Sequence, residues 1–296
     1  MASPSRVVFR VDASLDIGTG HVMRCLTLAD ALRRRGAECS FICRDLPGHL
    51  AETIRARQYA VALLPHLCEE QEPLNAGGPP YGSWLGVSWS QDAAQTRLAL
   101  AGMVADWLVA DHYALDARWE SGMRPVCRHL MVIDDLADRP HACDLLLDQN
   151  LGRTPGQYGA LVPHGCRVLI GPEYALLRPD FAKYRRDSLM RRQEPALSQL
   201  LISLGGVDKF NVAGQVLDAL SRLPLPTCHL KVVLGPHSPW VEQVRQQASA
   251  MDRVEVLVNV DDMAALMAES DLAIGAAGTT AWERCCLGLP TITLVL

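Results

Sequence analysis

Residues able to do chemistry gather at three glycine-rich turns of this chain. The first is Asp16-Ile17-Gly18-Thr19-Gly20-His21, which opens a helical pattern. Its glycines let the backbone turn tightly and approach a ligand. A helix N-terminus attracts anions and disfavours a protonated imidazole. His21 is therefore expected to stay neutral near pH 7 and to be able to accept a proton. The same residues also read as a plain glycine turn in which His21 caps the helix. The dinucleotide fingerprint is excluded, because G-x-G-x-x-G would need glycine where Met23 stands.

The second turn is Ser203-Leu204-Gly205-Gly206-Val207-Asp208-Lys209-Phe210-Asn211, between a strand pattern and a helix pattern. Backbone N–H groups at the glycines, Ser203 and the helix dipole could cradle a phosphate; a simple strand-to-helix turn fits equally. There is no G-K-[ST] ending, so nucleotide triphosphate hydrolysis is not indicated. The third turn, Gly275-Ala276-Ala277-Gly278-Thr279-Thr280-Ala281-Trp282-Glu283, offers backbone donors and two hydroxyls. Glu283, one turn into the helix, could accept both hydroxyls of a ribose, or serve its own helix as a capping carboxylate.

Polar groups also end strands at Asp111-His112-Tyr113, Asp134-Asp135 and Asp148-Gln149-Asn150. Carboxylate pairs could hold a metal, but neither D-x-D nor H-E-x-x-H occurs, so no metal is expected.

The elements that must position these turns alternate. Strand-like runs are expected at 7–11, 39–43, 107–111, 130–134, 145–148 and 168–170, then at 200–204, 230–234, 254–258, 272–275 and 291–296. Several are apolar throughout, as parallel strands covered on both faces should be. Helical patterns fall at 22–35, 91–104, 212–223, 240–251, 263–269 and 280–287. The fold class is therefore α/β with parallel sheets. The charged stretch 180–195 has no strand character and is expected to be a solvated linker helix between domains 1–179 and 196–296. A loop over 65–88, carrying Gly77-Gly78-Pro79-Pro80, interrupts the first domain.

Half of the 296 residues (49%) are apolar and 21% are charged, enough for a buried core. The net charge of −5 argues against a nucleic-acid surface while leaving room for a small anionic ligand. The start, Met1-Ala2-Ser3-Pro4-Ser5-Arg6, has no signal-peptide character, and no apolar run reaches the roughly 18 residues of a membrane helix. The ten cysteines form no C-x-x-C and are expected to be buried reduced thiols of a cytoplasmic protein.

Taken together, the motifs resemble a known family. They are Arg10-Val11-Asp12-Ala13, Ile17-Gly18-Thr19-Gly20-His21-Val22-Met23-Arg24-Cys25, Asp111-His112-Tyr113 and Ile133-Asp134-Asp135-Leu136-Ala137-Asp138-Arg139. They continue with Leu146-Leu147-Asp148-Gln149-Asn150, Leu176-Leu177-Arg178-Pro179-Asp180-Phe181 and Ala276-Ala277-Gly278-Thr279-Thr280-Ala281-Trp282-Glu283-Arg284-Cys285. In this order, over nearly the whole chain, they resemble the UDP-2,4-diacetamido-2,4,6-trideoxy-β-L-altropyranose hydrolases of pseudaminic acid biosynthesis.

That resemblance implies a GT-B-like fold of two Rossmann-like domains facing a cleft. It implies hydrolysis of the UDP-sugar at C1 with inversion and no cofactor. His21 would be the general base with Tyr113 beside it. The substrate-binding set would be Gly18, Thr19, Gly20 and Asn150, with Ser203, Gly205, Gly206, Asn211, Met263, Gly278, Thr279, Thr280 and Glu283 in the UDP-binding domain. Within it, Ser203 to Gly206 and Gly278 to Thr280 would hold the diphosphate, Glu283 the ribose and the Met263 backbone the uracil. The family continues past its last strand into an Asn-Gln segment and a helix, whereas this chain ends on Leu296. The second domain is accordingly expected to be incomplete and turnover impaired. The other readings are an inverting UDP-sugar glycosyltransferase, a UDP-sugar 2-epimerase and a non-catalytic UDP-sugar binder. The expected partner is the small-molecule UDP-sugar, with neither nucleic acid nor membrane; oligomeric state is not legible.

Overall fold

The computed structural model describes residues 4–66, 79–194, 197–223, 227–236 and 238–295. Gly77, Gly78, Cys68, Pro195 and Leu296 lie outside the described residues. The chain forms two compact units, Met1–Ile17 with His21–Leu176, and Leu177–Leu296 together with Gly18–Gly20.

The first unit contains β1 (Arg6–Val11), α1 (Gly20–Arg33), β2 (Glu38–Arg44), α2 (Ala51–Ala56), β3 (Ala60–Leu64) and α3 (Trp89–Ala99). It continues with β4 (Ala105–Asp111), α4 (Ala117–Met123), β5 (Cys127–Ile133), β6 (Leu145–Asp148) and β7 (Arg167–Ile170). The sheet order is β3-β2-β1-β4-β5-β6-β7, every pairing parallel. The order reverses between β1 and β4, the place where ligands bind in doubly wound sheets. The register there pairs Val11 with Asp111, so the β1–α1 turn and the end of β4 are neighbours.

Alternation along β1 explains its burial. Val7, Phe9 and Val11 enter one core with Phe41, Val22 and Leu26, and Val8 enters the other with Leu108 and Trp119. Phe9 stacks on Phe41 at 4.9 Å. Each such fully buried side chain contributes about 1.5–3 kcal/mol. Arg10 is wholly buried too. It bonds Asp12 (2.6 Å) and Asp92 (2.5 Å), and Asp92 also takes Arg44 (2.6 Å) and the Trp119 indole N–H (2.9 Å). This ties β1, β2, α3 and α4 into one network. Removing one partner of such a buried pair costs about 3–5 kcal/mol.

The second unit contains α5 (Pro179–Arg191), β8 (Gln199–Ser203), α6 (Val212–Leu220), β9 (His229–Leu234) and α7 (Val241–Ser249). It closes with β10 (Val254–Val258), α8 (Met263–Glu269), β11 (Leu272–Ala276), α9 (Thr279–Cys286) and β12 (Thr291–Leu294). Its parallel sheet has the order β10-β9-β8-β11-β12. Here the order reverses between β8 and β11, where Ser203 pairs with Gly275. Leu200 and Ile202 pack with α6 and α7, while Leu201 packs with α8 and α5.

The stretch expected as a solvated linker helix does form a helix, α5, but one face of it is packed in the core of the second unit. Phe181 is fully buried beside Leu201 and Met267, and Arg192 donates to the carbonyls of Met267 and Ser270 at the end of α8. Also unforeseen in the sequence were α2, β3 and α4. No helix among the described residues is long and apolar enough to cross a membrane. The described cysteines are free and most are buried, but Cys285 is exposed, because it falls on the outer side of α9.

Candidate active site

In the first unit, α1 begins directly after the turn, and His21 lies buried in its first residues. Gly18 takes φ +78°, a left-handed value that favours glycine, and Ser14 Oγ accepts the N–H groups of Asp16 and Ile17 beneath the turn. His21 Nδ1 is 2.6 Å from Asp111 Oδ1. Asp111 is held by Arg24 on both oxygens, Nε to Oδ2 at 2.7 Å and Nη2 to Oδ1 at 2.6 Å. Burial alone would raise the Asp111 carboxyl, but Arg24 and His21 outweigh it and hold the group well below the usual carboxylate range. An ionised carboxylate only accepts, so Nδ1 of His21 carries the proton and Nε2 is the basic nitrogen.

Arg24 also donates to Asp135 at 2.5 Å, and the Tyr113 hydroxyl donates to the same Asp135 oxygen at 2.8 Å. Burial and then Asp135 push the Tyr113 phenol far up, so Tyr113 acts here as a donor and never as a phenolate base. Its ring meets the His21 imidazole edge-on at 4.6 Å, and the Tyr81 and Trp84 rings pack on it at 5.4 and 5.9 Å. Asn150 joins the cluster through Asp135, whose carbonyl accepts its amide at 3.1 Å. The structure thus brings His21, Tyr113 and Asn150 together. It adds Asp111, Arg24 and Asp135, to which the sequence reading gave no catalytic or binding role. The signal for Arg24 was its place three residues after His21, on the buried side of α1 with Cys25.

In the second unit, Ser203 is buried at the end of β8 and Gly205 takes φ +99°. The carbonyl of Gly206 lies so close to Gly235 that any Cβ there would collide with it, a close approach of two backbones the sequence reading missed. The first turn of α6 is capped from within. Asp208 accepts from Val212 and Ala213 (2.8 and 2.9 Å), and Asn211 accepts from Gly214 (3.2 Å). Asn211 therefore serves as a helix cap, and the expected cradle shrinks to Ser203–Gly206.

The α9 end differs. Gly278 precedes it with φ +117° and no side-chain cap, and Thr279 and Thr280 form its first turn. An uncapped helix start presents N–H donors to an anion. Burial raises the Glu283 carboxyl to about 7, with Arg178 and Arg284 opposing. Met263 opens α8, whose start is capped by Asp262 on Ala265 (2.9 Å). Among the described residues, no group of three or more His, Cys, Asp or Glu side chains is placed to hold a metal ion.

Known proteins resemble this chain in sequence and in fold. Residues 200–296 match the Glycosyltransferase family 28 C-terminal domain. The crystal structure of MurG from Acinetobacter baumannii superposes with a TM-score of 0.60 at 16% identity, covering 99% of this chain and 79% of that one. The fold is thus GT-B-like, and residues 200–296 carry the likeness to a glycosyltransferase domain.

More particularly, it is similar to the UDP-2,4-diacetamido-2,4,6-trideoxy-beta-L-altropyranose hydrolase of Campylobacter jejuni, at 23% identity over 93% of this chain and 85% of the relative. It is also 22% identical over 98% of its length to the uncharacterized protein MJ1062 of Methanocaldococcus jannaschii. The chain spans about half (55%) of that protein.

Proposed function

We propose that this protein hydrolyses UDP-2,4-diacetamido-2,4,6-trideoxy-β-L-altropyranose to UDP and the free sugar, with inversion at C1. The observation that carries the reading is the His21–Asp111–Arg24 arrangement, which leaves His21 Nε2 as a base. In the proposed step, Nε2 takes a proton from water as the water oxygen bonds to C1. The bond from C1 to the phosphate oxygen breaks, and its electron pair leaves with UDP. Asp111 then faces an imidazolium across 2.6 Å and stabilises it as it forms.

In this reading the first unit supplies the base His21 with Tyr113 and Asn150, and Gly18, Thr19 and Gly20 also lie around the sugar. The second supplies the nucleotide site. The Ser203–Gly206 turn and the Gly278–Thr280 start of α9 take the diphosphate, the Met263 backbone the uracil and Glu283 the ribose. The growing charge on the departing diphosphate is met by preorganised donors, which favours the transition state over the ground state.

A second reading, an inverting UDP-sugar glycosyltransferase, is favoured by the match of residues 200–296 to a glycosyltransferase domain. The same base would deprotonate an acceptor hydroxyl instead of water. An NMR time course on the UDP-sugar separates the two. Release of UDP and of the inverted free sugar without an acceptor is expected. UDP release that needs an added acceptor establishes the transferase. No release under either condition overturns the enzymatic reading.

A further inference from the structure

Arg284 is 2% exposed, yet no carboxylate pairs with it at ion-pair distance among the described residues. Its guanidinium lies at the ends of β8 and β11, where the sheet order reverses. Nη2 donates to the Ala276 carbonyl (2.7 Å) and Nη1 to Thr280 Oγ1 (3.3 Å), while Nε has no hydrogen-bond partner. The position opposite is Gly275 for a steric reason. A Cβ there would lie 2.5 Å from Nη1 and 3.1 Å from the Ser203 carbonyl oxygen. The cation therefore sits under both turns assigned to the diphosphate, Ser203–Gly206 and Gly278–Thr280. A buried cation without an anion is costly unless something compensates it. Glu283 is the nearest acidic neighbour on the same helix, and burial favours its neutral form, which makes it a poor counter-ion.

We propose that Arg284 is a positioning residue for the nucleotide diphosphate: it braces the Gly278–Thr280 turn through Thr280 and Ala276, and its unpaired charge is compensated by the diphosphate bound above it. The inference rests on the nucleotide site proposed above and extends it. It predicts that Arg284 discriminates by ligand charge, favouring UDP over uridine, which a purely structural arginine would not do.

The test is calorimetric titration of UDP and of uridine into the full chain and into Arg284→Met, with circular dichroism to confirm folding. The UDP-to-uridine affinity ratio is expected to fall at least 10-fold in Arg284→Met while uridine affinity changes by less than about threefold. Equal losses for both ligands, or an unchanged ratio, overturn the proposal. Gly275→Ala keeps the charge but displaces the guanidinium, and it serves where Arg284→Met does not fold. The ratio is expected to fall at least threefold there, and an unchanged ratio overturns the proposal. Failure of the unaltered protein to bind UDP overturns the nucleotide site itself, which is a distinct result.

Discussion

Asp111→Asn tests the core of the proposed chemistry, because the amide cannot satisfy the partners the carboxylate holds. Oδ1 accepts from His21 Nδ1 and from Arg24 Nη2, both at 2.6 Å, and Oδ2 accepts from Arg24 Nε at 2.7 Å. An asparagine must place its NH2 at one of these two positions. At the Oδ2 position it confronts the Arg24 Nε–H, donor against donor. At the Oδ1 position it confronts Nη2–H and also obliges His21 Nδ1 to accept, which moves the ring proton to Nε2 and removes the base. Either orientation also deletes the charge that would stabilise an imidazolium.

The expected loss of turnover is about 10² to 10⁴, or about 3–5 kcal/mol of barrier. Stability falls as well, since Asp135 becomes the one carboxylate left on Arg24. About 3 kcal/mol is expected, at the lower end for breaking a buried pair. Asp135→Asn is the control. It weakens the same arginine without touching His21, so it should lower stability comparably and turnover far less. The assay is UDP release at saturating UDP-sugar, with UDP affinity measured beside it and expected to change less than twofold. Asp111→Asn turnover within threefold of the unaltered protein would refute the tautomer argument.

Three further outcomes follow from the same geometry. His21→Ala should leave UDP binding nearly intact and reduce turnover by roughly 100-fold or more, read by the same release assay; full turnover in that variant removes His21 as the base. Glu283, raised to about 7, should make uridine affinity rise between pH 6 and 8 as the carboxylate that accepts the ribose hydroxyls forms, and Glu283→Gln should flatten that profile in titration calorimetry. His141 is buried between Glu120 (2.7 Å) and Asp134 (3.9 Å), and these partners outweigh the opposing effect of burial to raise it from 6.5 to about 9. Its stabilisation is therefore complete below pH 6.5, declines as the pH rises and is gone above about 9. Urea unfolding should show a loss approaching about 3 kcal/mol over that window, absent in His141→Gln.

How far the sequence could be read follows from the range of each interaction. The strands β1, β4, β5 and β8 to β11 are legible because apolar residues, many of them β-branched, fill most of their positions. β3 is not, since Ala60-Val61-Ala62-Leu63-Leu64 has one β-branched residue and reads as readily as helix. The glycine turns are legible because φ values such as +78° at Gly18 and +117° at Gly278 are local demands on the chain. Whether a turn is open to a ligand is less local. At α6 the same signature ends with Asp208 and Asn211 folded back on the helix, while at α9 no side chain does so. Asp208, five residues past the end of β8, was visible as a residue, but its choice between backbone and ligand was not.

The partners of His21 lay further out of reach, and the sheet explains why. Asp111 is 90 positions away and meets His21 only because β4 pairs with β1 in the register that sets Asp111 opposite Val11. A shift of that register by one residue would turn Asp111 to the other face. The second sheet repeats the logic with Ser203 opposite Gly275, which is what brings the guanidinium of Arg284 beneath two turns some 70 residues apart in the chain. In both units the glycine turn is written locally, but a buried charge comes to it from across the reversal, Asp111 from the end of β4 to the Gly18–Gly20 turn and Arg284 from α9 to the Ser203–Gly206 turn. Motifs that are weakly specific one at a time therefore become informative as pairs, since only a sheet of this order makes His21 and Asp111, or Gly278 and Ser203, belong to one place.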